Sequence, residues 1–399
     1  MSEVRVNNLS NENNTGGPTI SGITTYSSTN FFVPPQGDTA SRPQSCPNGS
    51  LRFNTDTAHL EYYRGENIGW QEIEAEDVEM GGAATSGSID GKGTRAIFAG
   101  GYIAPGPCFN NTDAVTVETL GNTIDFNNLT ASVTGGYTLG NSTRSVYAGG
   151  RLSTTPGGSA TNQIQFCNFS TQNDYSDSGG DLSSSRAFGA GLCNETRGLF
   201  VGNAIPYENI IEYVTISTLG NSLDFGDISY GKSGYSYGLS STTRGIIAGG
   251  LRYNAPDSAT YDNIHFVTIS TTGNTTDFGD LKYDKYEGGA GASATRGLIM
   301  AGYGPNYTYL IESINMATTG NSTEFGNLTN LNGNGKYSAS SKTRAVIGGG
   351  YSYPQADYSN TIEFVNIATT GNGQDFGDFI NFGRRANTFN NSCNGHGGL

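Results

Sequence analysis

The chain has 399 residues, and Asp, Glu, Lys and Arg together make up only 14% of them. Histidine occurs three times, cysteine five times, methionine four times and tryptophan once. Each shortage excludes a class of function. No run approaches the ~18 apolar residues of a spanning helix, so no membrane span is expected. The opening Met1-Ser2-Glu3-Val4-Arg5-Val6-Asn7 has neither the basic start nor the apolar stretch of a secretory signal, and export by that route is not expected. Lys and Arg number 21 against 35 Asp and Glu, a net charge of −14. Such a surface repels a phosphate backbone instead of displacing its counter-ions, so no nucleic-acid partner is expected. The cysteines at 46, 108, 167, 193 and 393 are scattered and never spaced C-x-x-C, which indicates neither a zinc site nor a disulfide framework. Most of them read as buried thiols. The histidines, His59, His265 and His396, are too few and too dispersed for a nucleophile triad or a cluster of metal ligands. No cofactor and no metal are expected.

Glycine, by contrast, occurs 59 times, against a usual share of roughly 7%. Tyr (23) and Phe (19) are also abundant, which argues against disorder. At this length two or three ordinary domains or one large β domain are allowed.

Internal repetition accounts for the glycine. Six segments carry Thr-Arg followed by a small or apolar run ending at or near Gly, with the arginines at 95, 144, 197, 244, 296 and 344. A period of about 50 residues is that of propellers and arrays. Each unit reads as four short strands. Arg244-Gly-Ile-Ile-Ala-Gly-Gly250 precedes a variable loop and the alternating Ile264-His-Phe-Val-Thr-Ile-Ser270. A Gly273-Asn274 hairpin then leads into Thr275-Thr-Asp-Phe-Gly-Asp-Leu281. The small-residue run Gly288-Gly-Ala-Gly-Ala-Ser293 follows, suited to an axis where backbones converge. The Gly-Asn turn recurs at 121, 220, 320 and 371.

In these features residues 80–399 resemble the kelch family of β-propellers: a Gly-Gly doublet closing the second strand, then a loop, an apolar strand and a small-residue first strand. The kelch Trp is absent, its place taken by Phe126, Phe225, Phe278, Phe325 and Phe376, and the doublet is broken at Asn203 and Ala301. The resemblance implies an all-β, six-bladed kelch-like propeller. Seven blades is the alternative, because first-strand-like segments occur seven times between Met80 and the terminal Arg385-Ala-Asn-Thr-Phe-Asn-Asn391.

Residues 1–79 do not repeat. An extended arm over 1–48 is expected, containing Pro18-Thr-Ile-Ser-Gly-Ile and Phe32-Val-Pro-Pro35, which would pair with another chain. A small meander over 49–79 follows, with strands at 51–53, 59–63 and 70–73 and turns at Asn54-Thr-Asp56 and Gly65-Glu-Asn67. Residues 16–75 resemble segments near the N-termini of virion structural proteins of tailed phages, particularly of the marine cyanophage type. That resemblance implies a non-enzymatic virion component: a tail fibre, appendage or decoration protein. It would attach through 1–79 to other virion proteins, oligomerise on the particle and display the propeller for adhesion, with host-surface glycan as a candidate partner.

Three sets of residues are candidate sites. Arg95, Arg144, Arg197, Arg244, Arg296 and Arg344 occur in register with Asp125, Asp177, Asp224, Asp277, Glu324 and Asp375. Bidentate pairing between neighbouring blades would make them a structural ring; an anion-binding funnel of arginines is the alternative. Tyr253, Tyr261, Tyr307, Tyr309, Tyr351, Tyr353 and Tyr358 crowd the loops after the second strand, where amphipathic rings suit a sugar or a protein partner. His265 shares its strand position with Glu212, Glu312 and Glu363 and is expected to be exposed. The Asp-Phe-Gly triplets lack the other parts of a kinase and read as strand ends with Phe buried and Gly turning. No catalytic residue is expected. The competing reading is a propeller hydrolase or lyase acting on host glycan, which would need an irregular pair of acids.

Overall fold

The computed structural model describes residues 34–73 and 95–380, except 58, 67, 103–106, 153–158, 170–172, 253–258, 305–307, 330–334 and 353–356. All its helix-or-strand elements are strands, and among the described residues there is no helix. The chain divides into two compact units, Met1–Ser86 and Gly87–Leu399.

In the first unit Gln36–Gly37 lies parallel to Leu51–Asn54, which continues antiparallel through His59–Tyr63 to Trp70–Ile73. The hairpin after Asn54 is an Asx turn, in which the Asp56 amide donates to Asn54 Oδ1 (3.0 Å). Leu51 faces Tyr62 and Phe53 faces Leu60 across the strands. Period-2 alternation therefore gathers these four on one face and Arg52, Asn54, Glu61 and Tyr63 on the other.

The second unit is a succession of small antiparallel sheets, compatible with a propeller-like β fold. The first described sheet has three strands, Arg95–Ala99, Phe109–Thr116 and Ile124–Val133. The next five have four each, and in all five the strands lie in chain order; the second runs Tyr137–Gly140, Arg144–Ala148, Gln163–Asn168 and Ser176–Asp181. The third to sixth sheets open on the inner strands Ala190–Cys193, Tyr237–Ser240, Gly289–Ala292 and Tyr337–Ser340. Inner strands of successive sheets touch. A Cβ on Gly238 would sit 2.7 Å from the Gly191 carbonyl, so only glycine permits this approach.

The hydrophobic core lies between sheets. Leu192, Leu199 and Ile211 of the third pack on Ile247, Val267 and Ile269 of the fourth. Ala96, Phe98 and Val115 of the first pack likewise on Val346, Ile362 and Phe364 of the sixth.

Backbone hydrogen bonds stitch the junctions, and they pair two motifs that the sequence presents separately. The Gly-Asn hairpins of the first, fourth, fifth and sixth sheets lie against the Asp-Phe-Gly or Glu-Phe-Gly strand of the neighbouring sheet. Gly273 N donates to Phe225 O (2.7 Å), Thr275 N to Asp227 O (2.9 Å), and Asp227 N to Asn274 Oδ1 (2.9 Å). The same set joins the sixth sheet to the first through Gly121 N to Phe376 O (2.9 Å) and Asp378 N to Asn122 Oδ1 (3.0 Å). Each outer edge strand, which would otherwise offer unpaired backbone groups, is thereby covered. The glycine of Asp-Phe-Gly is required by contact: a Cβ on Gly279 would lie 2.5 Å from the Gly320 carbonyl, at φ +150°. Its phenylalanine is buried, as in Phe225, Phe278 and Phe376, in agreement with the strand-end reading.

Candidate functional site

Five of the arginines open the second strand of their sheets and Arg95 opens the first of the three strands described in the first sheet, while the six acids lie on the outermost strand of each sheet. They are not brought together. Among the described residues no ion pair joins Arg95, Arg144, Arg197, Arg244, Arg296 or Arg344 to Asp125, Asp177, Asp224, Asp277, Glu324 or Asp375. Each guanidinium instead stacks on an aromatic ring of its own sheet and donates to carbonyls of the next. Arg244 lies 4.7 Å over the Phe266 ring and donates to Met316 O (3.1 Å). Arg197 lies 4.6 Å over Tyr213 and donates to Ile269 O (3.2 Å) and Ser270 O (2.8 Å). Arg296 reaches Ile367 O (2.9 Å) and Ala368 O (2.8 Å).

The expected carboxylate ring is thus replaced by a carbonyl ring, for a geometric reason. The carbonyls closing the next third strand have no ladder partner and lie within reach, whereas the acids sit on the outer strand facing water. All six acids are exposed; Asp177 accepts from Gln163 Nε2 (3.0 Å) and Glu324 pairs with Lys282. With Nη1 held by carbonyls, these arginines act as clamps between sheets.

A second set of polar and charged side chains is buried and lies elsewhere. Asp113, Gln165, Glu212, His265, Glu312 and Glu363 occupy one equivalent position on the strand next to the outermost in each of the six sheets, each opposite one of the six acids. All six are buried, which corrects the expected exposure of His265. They receive amides from the end of the preceding sheet, directly or through a hydroxyl ten residues on. Gln165 Oε1 accepts from Thr130 N (2.9 Å), Glu312 Oε1 from Lys282 N (2.6 Å) and Glu363 Oε2 from Thr329 N (2.9 Å). Thr275 Oγ1 accepts Ser229 N (2.9 Å) and contacts His265 Nδ1 (3.2 Å). Burial holds the His265 ring below the usual histidine range, against the opposing pull of Asp277 and Asp280. Two of the acids also meet buried cations: Arg186 pairs with Glu212 and Lys285 with Glu312. A polar residue recurring between apolar neighbours, as in Ile264-His265-Phe266 and Ile362-Glu363-Phe364, was the available signal, but strand alternation alone does not say which face is covered.

Where the inner strands begin, a chain of backbone hydrogen bonds runs from sheet to sheet: Phe188 N to Gly135 O (2.7 Å), Tyr235 N to Phe188 O (2.8 Å), Glu287 N to Tyr235 O (3.1 Å) and Gly335 N to Glu287 O (2.8 Å). Phe188, Tyr235 and Glu287 have φ of 65°, 59° and 61°, a left-handed conformation that bulky residues rarely adopt. Their side chains gather with Tyr207, Tyr286 and Tyr303, ring centroids 5.2 to 6.5 Å apart. Burial raises the Tyr235 hydroxyl well above its ordinary value, and the neighbouring Glu287 carboxylate adds to this. The result is a half-buried aromatic patch with one acid. Strain of this kind concentrates at functional sites.

Of the loop tyrosines, Tyr261 packs edge-on against Tyr230 (5.1 Å), and Tyr351 against Tyr358 (5.4 Å) across a two-stranded extension. Tyr309 is exposed. Tyr253, Tyr307 and Tyr353 lie outside the described residues, as do the arm over 1–33, the segment at Met80 and the terminal segment 385–391.

The first unit has an inverted distribution. Its covered side is polar: Glu61, fully buried, pairs with Arg42, Arg52 Nη2 donates to Asp38 O (2.9 Å), and Trp70 Nε1 donates to Pro43 O (3.0 Å). Arg42 holds the Glu61 carboxyl below the usual range. The opposite side is apolar and open, with Leu51 50% exposed and Phe53, Leu60 and Tyr62 partly so. No group of three or more His, Cys, Asp or Glu that could hold a metal occurs among the described residues. No protein-family model matches the chain, and no curated protein matches it.

Proposed function

We propose that the protein is a non-enzymatic virion structural protein of a tailed phage, attached through residues 1–79 and displaying a six-bladed, kelch-like propeller for adhesion or decoration. The open apolar face of the first unit carries this reading. A sheet that buries an Arg–Glu–Asn network and leaves Leu51, Phe53, Leu60 and Tyr62 toward solvent is built to receive a second surface, because such faces mark interaction sites. A displayed module needs rigidity, and the repeated arginine clamps and hairpin stitches supply it at every junction, the sixth sheet to the first included. That last junction supports a closed ring of six blades. The aromatic patch at Phe188, Tyr235 and Tyr286 is the surface we assign to adhesion.

The test replaces Leu51 and Tyr62, neither of which supports the polar side, with glutamate in phage producing this chain. Particles are then labelled with antibody against the propeller. Loss of label with unchanged thermal unfolding of the purified variant is expected; full labelling of variant particles, or no labelling of wild-type particles, overturns the reading.

A further inference from the structure

Of the six buried polar residues next to the outermost strands, His265 is the one that carries a basic nitrogen. Where carboxylates and an amide at the other five places hold backbone amides and hydroxyls, the imidazole meets a serine. Ser229, just past Leu223–Asp227 of the third sheet, places its Oγ 3.1 Å from His265 Nδ1 and 3.0 Å from Thr275 Oγ1. Thr275 Oγ1 is itself 3.2 Å from Nδ1. Ser229 is exposed and His265 is buried, so the hydroxyl opens to solvent while the base stands behind it.

The surroundings of the ring decide which nitrogen is free. Asp277 Oδ1 stands 3.8 Å from Nε2, which favours the tautomer protonated there and leaves the Nδ1 lone pair toward Ser229. Burial holds the ring below the usual histidine range, against the pull of Asp277 and Asp280, so at neutral pH it is in the uncharged form that accepts a proton. A hydroxyl within reach of a neutral imidazole, whose second nitrogen faces a carboxylate, is the arrangement that activates a serine nucleophile. The Tyr230 ring lies 4.6 Å from the His265 ring and 5.1 Å from Tyr261, an aromatic wall beside the hydroxyl that suits an aryl group.

We propose that Ser229 is a covalent acylation site that takes the acyl group of an activated aryl ester, with His265 as its base. Ser229 Oγ bonds to the ester carbonyl carbon, and the bond from that carbon to the aryl oxygen breaks. The aryl oxide leaves with the electron pair, and the Oγ proton passes to His265 Nδ1 and from there to solvent. Turnover would need water to attack the acyl-serine, a step that depends on donors aimed at the oxyanion. The nucleophile's own amide serves there in serine proteases, but Ser229 N is spent on Thr275 Oγ1 (2.9 Å). The reaction therefore stops at one acyl group per chain, in keeping with a structural protein.

The test incubates the full chain with p-nitrophenyl acetate at neutral pH and maps acetylated peptides by mass spectrometry. Ser229 is expected to react at least about a hundredfold faster than the exposed Ser176, Ser217 and Ser270, the low end of what a positioned base contributes. One equivalent of nitrophenolate should be released that is absent with Ser229→Ala. His265→Gln introduces a side chain that the second sheet already holds at this position as Gln165. It is expected to bring Ser229 down to the rate of the reference serines with thermal unfolding unchanged. A wild-type Ser229 no faster than those serines overturns the site, whatever the stability of the variant. An undiminished rate in folded His265→Gln overturns the base, and Ser229-dependent release past one equivalent overturns the single acyl transfer.

Discussion

Arg344 Nη1 donates to the backbone carbonyl of Glu118 at 2.8 Å, joining the last sheet of the propeller-like unit to the first across 226 residues of chain. Arg144, Arg197, Arg244 and Arg296 make the equivalent bond over about 72 residues. The sixth described sheet is therefore joined to the first by the same interaction that joins the neighbouring sheets along the chain.

The clamp is a property of the guanidinium. Arg244→Lys keeps the charge but loses the planar stacking on Phe266 and the directed Nη1 bond. A loss of about 2–4 kcal/mol is expected, from a charge-assisted bond of ~1.5–3 and a ring contact of ~0.5–1 kcal/mol. Asp277→Asn should stay within about 0.5 kcal/mol, as for other exposed positions. Urea unfolding of both variants checks the pair of values; equal losses would restore the arginine–carboxylate ring.

The stitched edges give a second contrast. Gly279 and Gly273 share an unusual φ, +150° and +156°, but only at Gly279 would a Cβ meet backbone, the Gly320 carbonyl at 2.5 Å. Gly279→Ala is expected to cost about 1–3 kcal/mol more than Gly273→Ala, the range for forcing atoms into a packed site. Thermal unfolding of the two alanine variants measures the difference.

The period, the four-strand units and the buried phenylalanines were legible in the sequence because apolar alternation and glycine spacing encode them directly. The partners were not. Arg244 and Asp277 recur in register, and register looks like pairing, but equal spacing follows from any repeat whether or not its members touch. What decides is that the acid lies on an outer strand while unladdered carbonyls lie nearer. His265 misled for a related reason: strand alternation fixes which residues share a face, and only the packing of the neighbouring sheet fixes that the face is covered. The left-handed backbone at Phe188, Tyr235 and Glu287 is not written in those residues themselves; its one signal is the glycine at the equivalent positions Gly135 and Gly335.

Lys285 and Glu312 form a pair whose two members are almost wholly buried. Removing one partner leaves the other as an uncompensated buried charge, so Glu312→Ala is expected to cost about 3–5 kcal/mol. Glu312 also receives Lys282 N and Ser322 Oγ, which places the value toward the upper end. Replacing the pair together, as Lys285→Met with Glu312→Leu, should recover a substantial part of that loss, because the desolvation of both charges is removed with their attraction. If the double variant is less stable than Glu312→Ala alone, the pair contributes more than it costs to bury.

Lys336 makes stability depend on pH in the alkaline direction. Its side chain is fully buried, and Nζ donates to Gly349 O at 2.7 Å. Burial lowers its pKa from 10.5 to about 7, with Glu363 pulling the other way. Between those two values the unfolded chain binds a proton that the folded chain does not, so this residue makes the protein more stable as pH rises from about 7 to 10.5 and least favoured below about 7. The free energy of unfolding in urea, followed at pH 7, 8.5 and 10, should climb more steeply for the wild type than for Lys336→Met, with a difference in slope of up to about one proton. Parallel curves for the two proteins would mean that Lys336 keeps its proton on folding, with Glu363 and the Gly349 carbonyl holding it as an ammonium.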